Sequence, residues 1–243
     1  MGLPLSTVVA TLMAKLVEHR GEGGEEGLLL RLPPASCQLL LSNLLGALLR
    51  HSPSHMVRCR LYAALHSFFT YTQDLPPVSS PELQEEAARL HLSCLAVLRK
   101  EGSAVVDVVG RDAAHGSPLA TALAYGVLGA LLAQDPVLFL SHLQSQGLLQ
   151  HCLAAVGDVP YQPLLAPSAE SLRWVYTLEA QLTLLQHTAC LQGGKGASIL
   201  LAMGALPKLA ACPALNLPPQ VHHPSPITPQ ASSLSAYGLM SDG

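Results

Sequence analysis

His51, His55 and Cys59 recur every fourth residue, the spacing that puts three metal-ligating side chains on one helix face. Pro53 stands between the two histidines, so the helix starts after His51 and that face is broken. The three residues therefore read as polar surface. His222 and His223 are adjacent but have no further ligands near them in sequence. The six cysteines (Cys37, Cys59, Cys94, Cys152, Cys190, Cys212) lie 22 or more residues apart, and none forms a C-x-x-C pair. A disulfide framework or a zinc site clusters its cysteines, so buried thiols in a reducing compartment are expected.

Phosphate chemistry is suggested by Gln192-Gly193-Gly194-Lys195-Gly196, but the pattern fails. Glycine follows Lys195 where serine or threonine would hold magnesium, and Ala189 occupies the first glycine position. No G-x-S-x-G elbow is present for a serine hydrolase. Between Gly110 and Gly116, Arg111, Asp112 and His115 concentrate polar groups between two apolar runs. Catalysis is one reading. The other is Arg111 bonding with Asp107 and Asp112 across a helix end. The sole tryptophan falls in Arg173-Trp174-Val175-Tyr176. These side chains are either aromatic anchors between adjacent helices or the exposed edge of a peptide-binding groove, where Trp, Tyr and Arg are enriched. Arg173, Trp174 and Tyr176 are thus the candidate partner-binding residues. No catalytic, cofactor-binding or metal-binding residue is assigned, and no cofactor is expected.

The chain that must position these groups has 243 residues, enough for one large domain or two small ones. Lys and Arg number 13 against 16 Asp and Glu, a net charge of -3, which argues against a dedicated nucleic-acid binder. Charged residues make up 12% and apolar ones 49%. So little charge suggests that part of the surface is meant to be covered. Leucine occurs 50 times against 16 valines and two isoleucines, and aromatics are 4%, which points to an all-α architecture. The apolar run from Leu119 to Ala133 is shorter than the ~20 residues that span a bilayer, so it reads as a buried helix and no transmembrane segment is expected. No basic region precedes the apolar start, so no secretory signal is read. Met1-Gly2 through Ser6 fits a myristoylation pattern that Pro4 and the lack of a basic cluster make a chance match.

Prolines and glycines divide the chain into helices. A first helix from Ser6 to about His19 leads into the acidic glycine-rich loop Gly21 to Gly27. Helices are then expected from Ala35 to Arg50, from Pro53 to about Thr72 and from Pro81 to about Arg99. Ser103 to Ala114, rich in valine, could be a strand but has no partner strand, so it is read as a separate helix. Further helices follow from Pro118 to Ala133, Pro136 to about Gln144, Leu148 to Val156, Ser168 to about Leu191, Ala197 to Met203 and Leu206 to Ala211. Gln146 to Leu153 echoes Met203 to Ala210: each has a glycine ahead of a short apolar helix. That is the rhythm of armadillo and HEAT repeats. The expected organisation is an N-terminal helix and loop (1–34), an irregular α-solenoid of stacked helix pairs (35–212) and a Pro/Ser-rich disordered tail (213–243). Ser225-Pro226 and Thr228-Pro229 in that tail fit proline-directed phosphorylation, a pattern common by chance.

Four segments carry a family resemblance: Arg60 to Leu65, Val105 to Ala113, Ser171 to Glu179 and Leu200 to Cys212. In this order and spacing they resemble the C-terminal part of the large inner-ring scaffold nucleoporins of the nuclear pore complex, the two-hundred-and-five-kilodalton type. The chain is similar to a fragment or truncated isoform of that family over roughly residues 40–212, and its proline-rich tail departs from the pattern. The resemblance implies an α-solenoid at the nuclear envelope, within the pore's inner ring, without catalytic activity. Its implied partners are other nucleoporins, especially segments of linker nucleoporins, in support of nucleocytoplasmic transport. Direct nucleic-acid binding is not implied. The alternatives are a freestanding armadillo-like interaction adaptor and, further off, an enzyme on an all-α scaffold.

Overall fold

The computed structural model describes residues 34–50, 54–73, 81–159 and 168–215. The expected N-terminal helix and acidic loop lie outside them, as do the tail beyond residue 215 and His51. Every regular element among the described residues is helical. In chain order these are α1 (Pro34–Arg50), α2 (His55–Gln73), α3 (Pro81–His115), α4 (Pro118–Gln134), α5 (Pro136–Ser145), α6 (Leu148–Gly157), α7 (Ala169–Ala189), α8 (Lys195–Ala202) and α9 (Ala205–Ala211).

The amphipathic spacing read from the sequence sets the inward faces. Leu41, Leu44, Leu45 and Leu48 of α1 are buried, and so are Leu61, Leu65, Phe68 and Phe69 of α2. Phe68 and Phe69 meet edge to face, centroids 5.6 Å apart. Helix α1 packs on α2 and α3, α2 on α4, α4 on α7, α6 on α7 and α9, and α7 on α8. One continuous core therefore runs from Cys37 on α1 to Cys212 beyond α9. This is an all-α solenoid of stacked helices, as the leucine content and the glycine rhythm implied.

Two elements differ from the sequence reading. The helix from Pro81 and the valine-rich segment after Ser103 are one 35-residue helix, α3. Gly102, where the sequence suggested a break, is buried inside it. A β-carbon there would come within 3.0 Å of the Phe139 ring on α5, and one at Gly110 within 2.8 Å of Leu148 Cδ1 on α6. Eight residues apart, the two glycines share a face of α3. They mark where later helices press against it, and the chain does not break at either. Val105, Val106 and Val109 are fully buried, so core packing overrides the strand preference of their branched side chains.

Helix α4 is apolar on all sides because it is surrounded. It packs on α2, α3, α5 and α7. Ser117 caps its start by accepting from the Ala120 N–H. Asp135 ends it and caps α5, accepting from the Leu138 N–H at 3.1 Å and from Arg99 Nε of α3 at 3.2 Å. Gly147 (φ 67°) and Gly204 (φ 76°) hold the left-handed conformation just before α6 and α9, the equivalence that the sequence echo between these segments indicated.

Candidate functional site

Helix α7 carries the candidate residues. Ser168 caps it through a reciprocal box: its side chain accepts from the Ser171 N–H at 3.0 Å, and the Ser168 N–H donates to Ser171 Oγ at 3.1 Å. Ser171, Thr177, Gln181, Leu184, Leu185 and Thr188 face inward. Thr177 Oγ1 donates to the Arg173 carbonyl at 2.8 Å and to the Pro118 carbonyl at 3.3 Å, tying α7 to the start of α4.

Grooves open on both sides of this helix. The first, about 400 Å³, lies between α7, α6 and the junction of α3 with α4. Arg173, Trp174, Leu178 and Gln181 line it from α7, and His151 and Ala155 from α6. The second, about 370 Å³, lies over α4 between α2 and α7. Tyr176, Glu179 and His187 line it from α7, His66 from α2, and Leu119 and Leu123 from α4. Arg173 and Trp174 therefore share one groove while Tyr176 belongs to the other. Residues two apart on a helix point in nearly opposite directions, so Trp174 and Tyr176 do not make one patch. Trp174 is half-buried, whereas Tyr176 is 59% and Leu119 52% exposed.

The second groove is narrow where α4 carries glycine. A β-carbon on Gly126 would come within 3.0 Å of the His66 ring, and His187 Nδ1 lies 3.3 Å from the Gly129 carbonyl oxygen. Desolvation against this wall holds the His66 pKa below the usual histidine value. Sequence reasoning missed His66, His187 and Leu119, because no local pattern brings α2, α4 and α7 together.

In the polar stretch from Gly110 to Gly116, Asp112 is bonded across helices, by a different arginine from the one the sequence suggested. Arg111 is exposed. Asp112 is buried, and Arg58 of α2 donates to it through Nε at 2.6 Å and Nη2 at 2.9 Å. The Tyr62 hydroxyl donates to the same carboxylate at 2.8 Å. The Asp112 bond is the largest cause raising the Arg58 pKa, whereas burial outweighs that bond in raising the Tyr62 pKa. Asp107 pairs with the Gln146 side chain instead. His55 Nε2 shares a hydrogen bond with Ser117 Oγ at 2.7 Å and lies 3.7 Å from Cys59 Sγ, so it bridges α2 to the cap of α4.

Among the described residues no group of three or more His, Cys, Asp or Glu is arranged to hold a metal ion, and no helix is long and apolar enough to cross a membrane. None of the six cysteines is in a disulfide, and all but Cys190 are buried. Burial, with Cys37 nearby, pushes the Cys94 pKa up to about 12.

The described residues thus define a stack of helices with grooves open between them. Comparison with known proteins gives the family. Residues 4–238 match the model of the nuclear pore complex scaffold family of nucleoporins 186, 192 and 205, and the chain belongs to that family. It is 32% identical over 235 residues to the nuclear pore complex protein NUP205 of Arabidopsis thaliana, covering 87% of this chain and 12% of that protein. It is 26% identical over 205 residues to human Nup205, covering 76% of this chain and 10% of that protein. The chain therefore spans about a tenth of the length of these relatives. The family match is wider than the resemblance read from the sequence. It includes the region before residue 40 and most of the proline-rich tail, which is therefore no departure from the family.

Proposed function

We propose that the chain acts as a scaffold segment of the nuclear pore complex inner ring at the nuclear envelope. It binds segments of other nucleoporins, linker nucleoporins above all, and so supports nucleocytoplasmic transport. The observation that carries this reading is the family match over residues 4–238. The physical route is docking in the grooves that flank α7. Arg173 and Trp174 anchor a partner segment in the first groove and Tyr176 anchors one in the second, because large amphipathic side chains at a groove rim gain contact area at small entropic cost.

A fluorescent fusion of the chain imaged in cells tests the reading. A punctate nuclear rim is expected; a diffuse signal in cells that keep the fusion intact overturns it. Trp174→Ala is expected to weaken the rim signal while the purified chain keeps its unfolding midpoint. A variant that melts instead would make Trp174 a core residue and remove it as an anchor.

A further inference from the structure

The second groove carries a single unanswered charge. Glu179 is the only Asp, Glu, Lys or Arg among the described residues that line it, and it makes no ion pair or hydrogen bond with a described residue. Both histidines there are turned against α4, His66 onto Gly126 and His187 onto Gly129, and desolvation holds His66 toward its neutral form. Tyr176 stands one turn ahead of Glu179 and is exposed. Leu172, Val175, Tyr176 and Glu179 fall at i, i+3, i+4 and i+7, so they share one stripe of α7, and all four are exposed. Leu119 of α4 lines the same groove and is exposed too. Large apolar side chains exposed together mark a face that binds something. This face adds an aromatic ring and a carboxylate within one helical turn, and the walls around them are mainly apolar.

We infer that the second groove takes a basic side chain, arginine above all, from a partner segment that also sets an apolar side chain against Leu119 and Leu123. This rests on the proposed docking of nucleoporin segments and adds the charge that selects them. The methylene stem of arginine lies along the apolar wall, while its guanidinium stacks on the Tyr176 ring and donates to the Glu179 carboxylate. An acidic side chain would be repelled by Glu179, and the low-dielectric walls of a groove strengthen that repulsion. A wholly apolar segment would strip water from Glu179 and put nothing in its place. The first groove differs, because Glu170 and Arg173 put both signs on its wall, so it makes no such selection.

The test titrates the full 243-residue chain with phenylpropylammonium, phenylpropanol and phenylbutanoate, which share one apolar body and differ in the charge at the tip. The backbone amide resonances of Leu123, Tyr176 and Glu179 report occupancy of the groove. The ammonium probe is expected to bind about fivefold tighter than the alcohol, the combined worth of an exposed ion pair and a cation–π contact, and the carboxylate probe weakest of the three. Glu179→Gln is expected to bring the ammonium probe down to the alcohol. Tyr176→Leu is expected to remove part of the difference, about twofold, while the alcohol binds as before. Equal affinities for ammonium and alcohol in the unaltered chain overturn the inference, and that comparison needs no variant to fold. So does an ammonium advantage that survives in Glu179→Gln, or no shift with any probe. Shifts of the same resonances with protein concentration alone would assign the face to a second copy of the chain and overturn it too. Failure of the docking reading looks different: the fusion would be diffuse in cells while the ammonium preference persisted, whereas a nuclear rim with equal affinities sinks this inference alone.

Discussion

Arg58 and Asp112 form a two-pronged ion pair, 2.6 and 2.9 Å, that joins the start of α2 to the end of α3 across 54 residues of chain. Both side chains are largely buried, Arg58 at 14% exposure and Asp112 at 9%. The Tyr62 hydroxyl takes a further place on the carboxylate. The Asp112 carbonyl accepts from the Gly116 N–H and from Thr121 of α4. Three helices therefore meet at one residue, beside the turn that opens the first groove.

Removing one partner leaves a buried charge without compensation. Asp112→Ala is expected to cost about 3–5 kcal/mol, more than loss of a surface pair would. Tyr62→Phe removes a single bond to a charged acceptor and is expected to cost about 2 kcal/mol. Replacing both charges, Arg58→Met with Asp112→Leu, is expected to recover most of the loss, because an apolar pair needs no desolvation of ions. Urea unfolding followed by circular dichroism measures all three. A loss below about 1 kcal/mol for Asp112→Ala would show the pair to be solvated like an ordinary surface bridge.

The glycines of α3 give a second prediction, opposite in sign to the usual one. Glycine to alanine inside a helix ordinarily stabilises by roughly 0.5–1 kcal/mol. At Gly110 the new methyl would press on Leu148, and at Gly102 on Phe139. Gly110→Ala and Gly102→Ala are expected to destabilise by about 1–3 kcal/mol through overpacking. Gly46→Ala on α1 is the control, since its β-carbon meets only the end of the flexible Arg50 side chain. Gly46→Ala should raise the unfolding midpoint while the other two lower it. A rise at Gly110 would mean that α6 can shift away freely.

Glycine at the turns gives a third. Gly204 sits at φ 76°, where a β-carbon is strained whatever space surrounds it. Gly204→Ala is expected to cost about 1–2 kcal/mol, and Gly204→Asn less, because asparagine tolerates the left-handed region. Equal losses for the two substitutions, read from thermal unfolding, would place the cost in side-chain contacts instead of the backbone.

These residues also show what the sequence made legible. Leucine spacing in α1, the Ser-Pro and Asp-Pro starts of α4 and α5, and the glycines before α6 and α9 are local signals, and each element they predict is present. The continuity of α3 was hidden because a glycine reads as a break when what it packs against is unknown, and Phe139 is 37 residues away. The partner of Asp112 was sought in adjacent Arg111, whereas tertiary packing supplies Arg58. At the candidate site, the clustering of Arg173, Trp174 and Tyr176 was visible in the sequence. Their division between two grooves follows from helix geometry, and what completes each groove comes from other helices.

The second groove carries a pH-dependent prediction. Desolvation lowers the His66 pKa in the folded chain, so the folded state takes up a proton there less readily than the unfolded state does. Stability rises with pH wherever the unfolded state binds more protons. The contribution of neutral His66 is therefore present above the ordinary histidine pKa of about 6.5 and is lost as pH falls below it. Glu179 and His187 line the same groove, but neither is among the causes of the His66 shift, which is burial alone. His66→Gln removes the titration while keeping a polar side chain of similar reach. Urea midpoints measured at about pH 7.5 and about pH 5.5 should fall less between the two conditions for His66→Gln than for the unaltered chain. Other histidines and carboxylates titrate in both proteins, so the difference between the two falls isolates His66. Equal falls would mean that the His66 ring is solvated as in the unfolded chain, and that the wall formed by Gly126 does not exclude water from it.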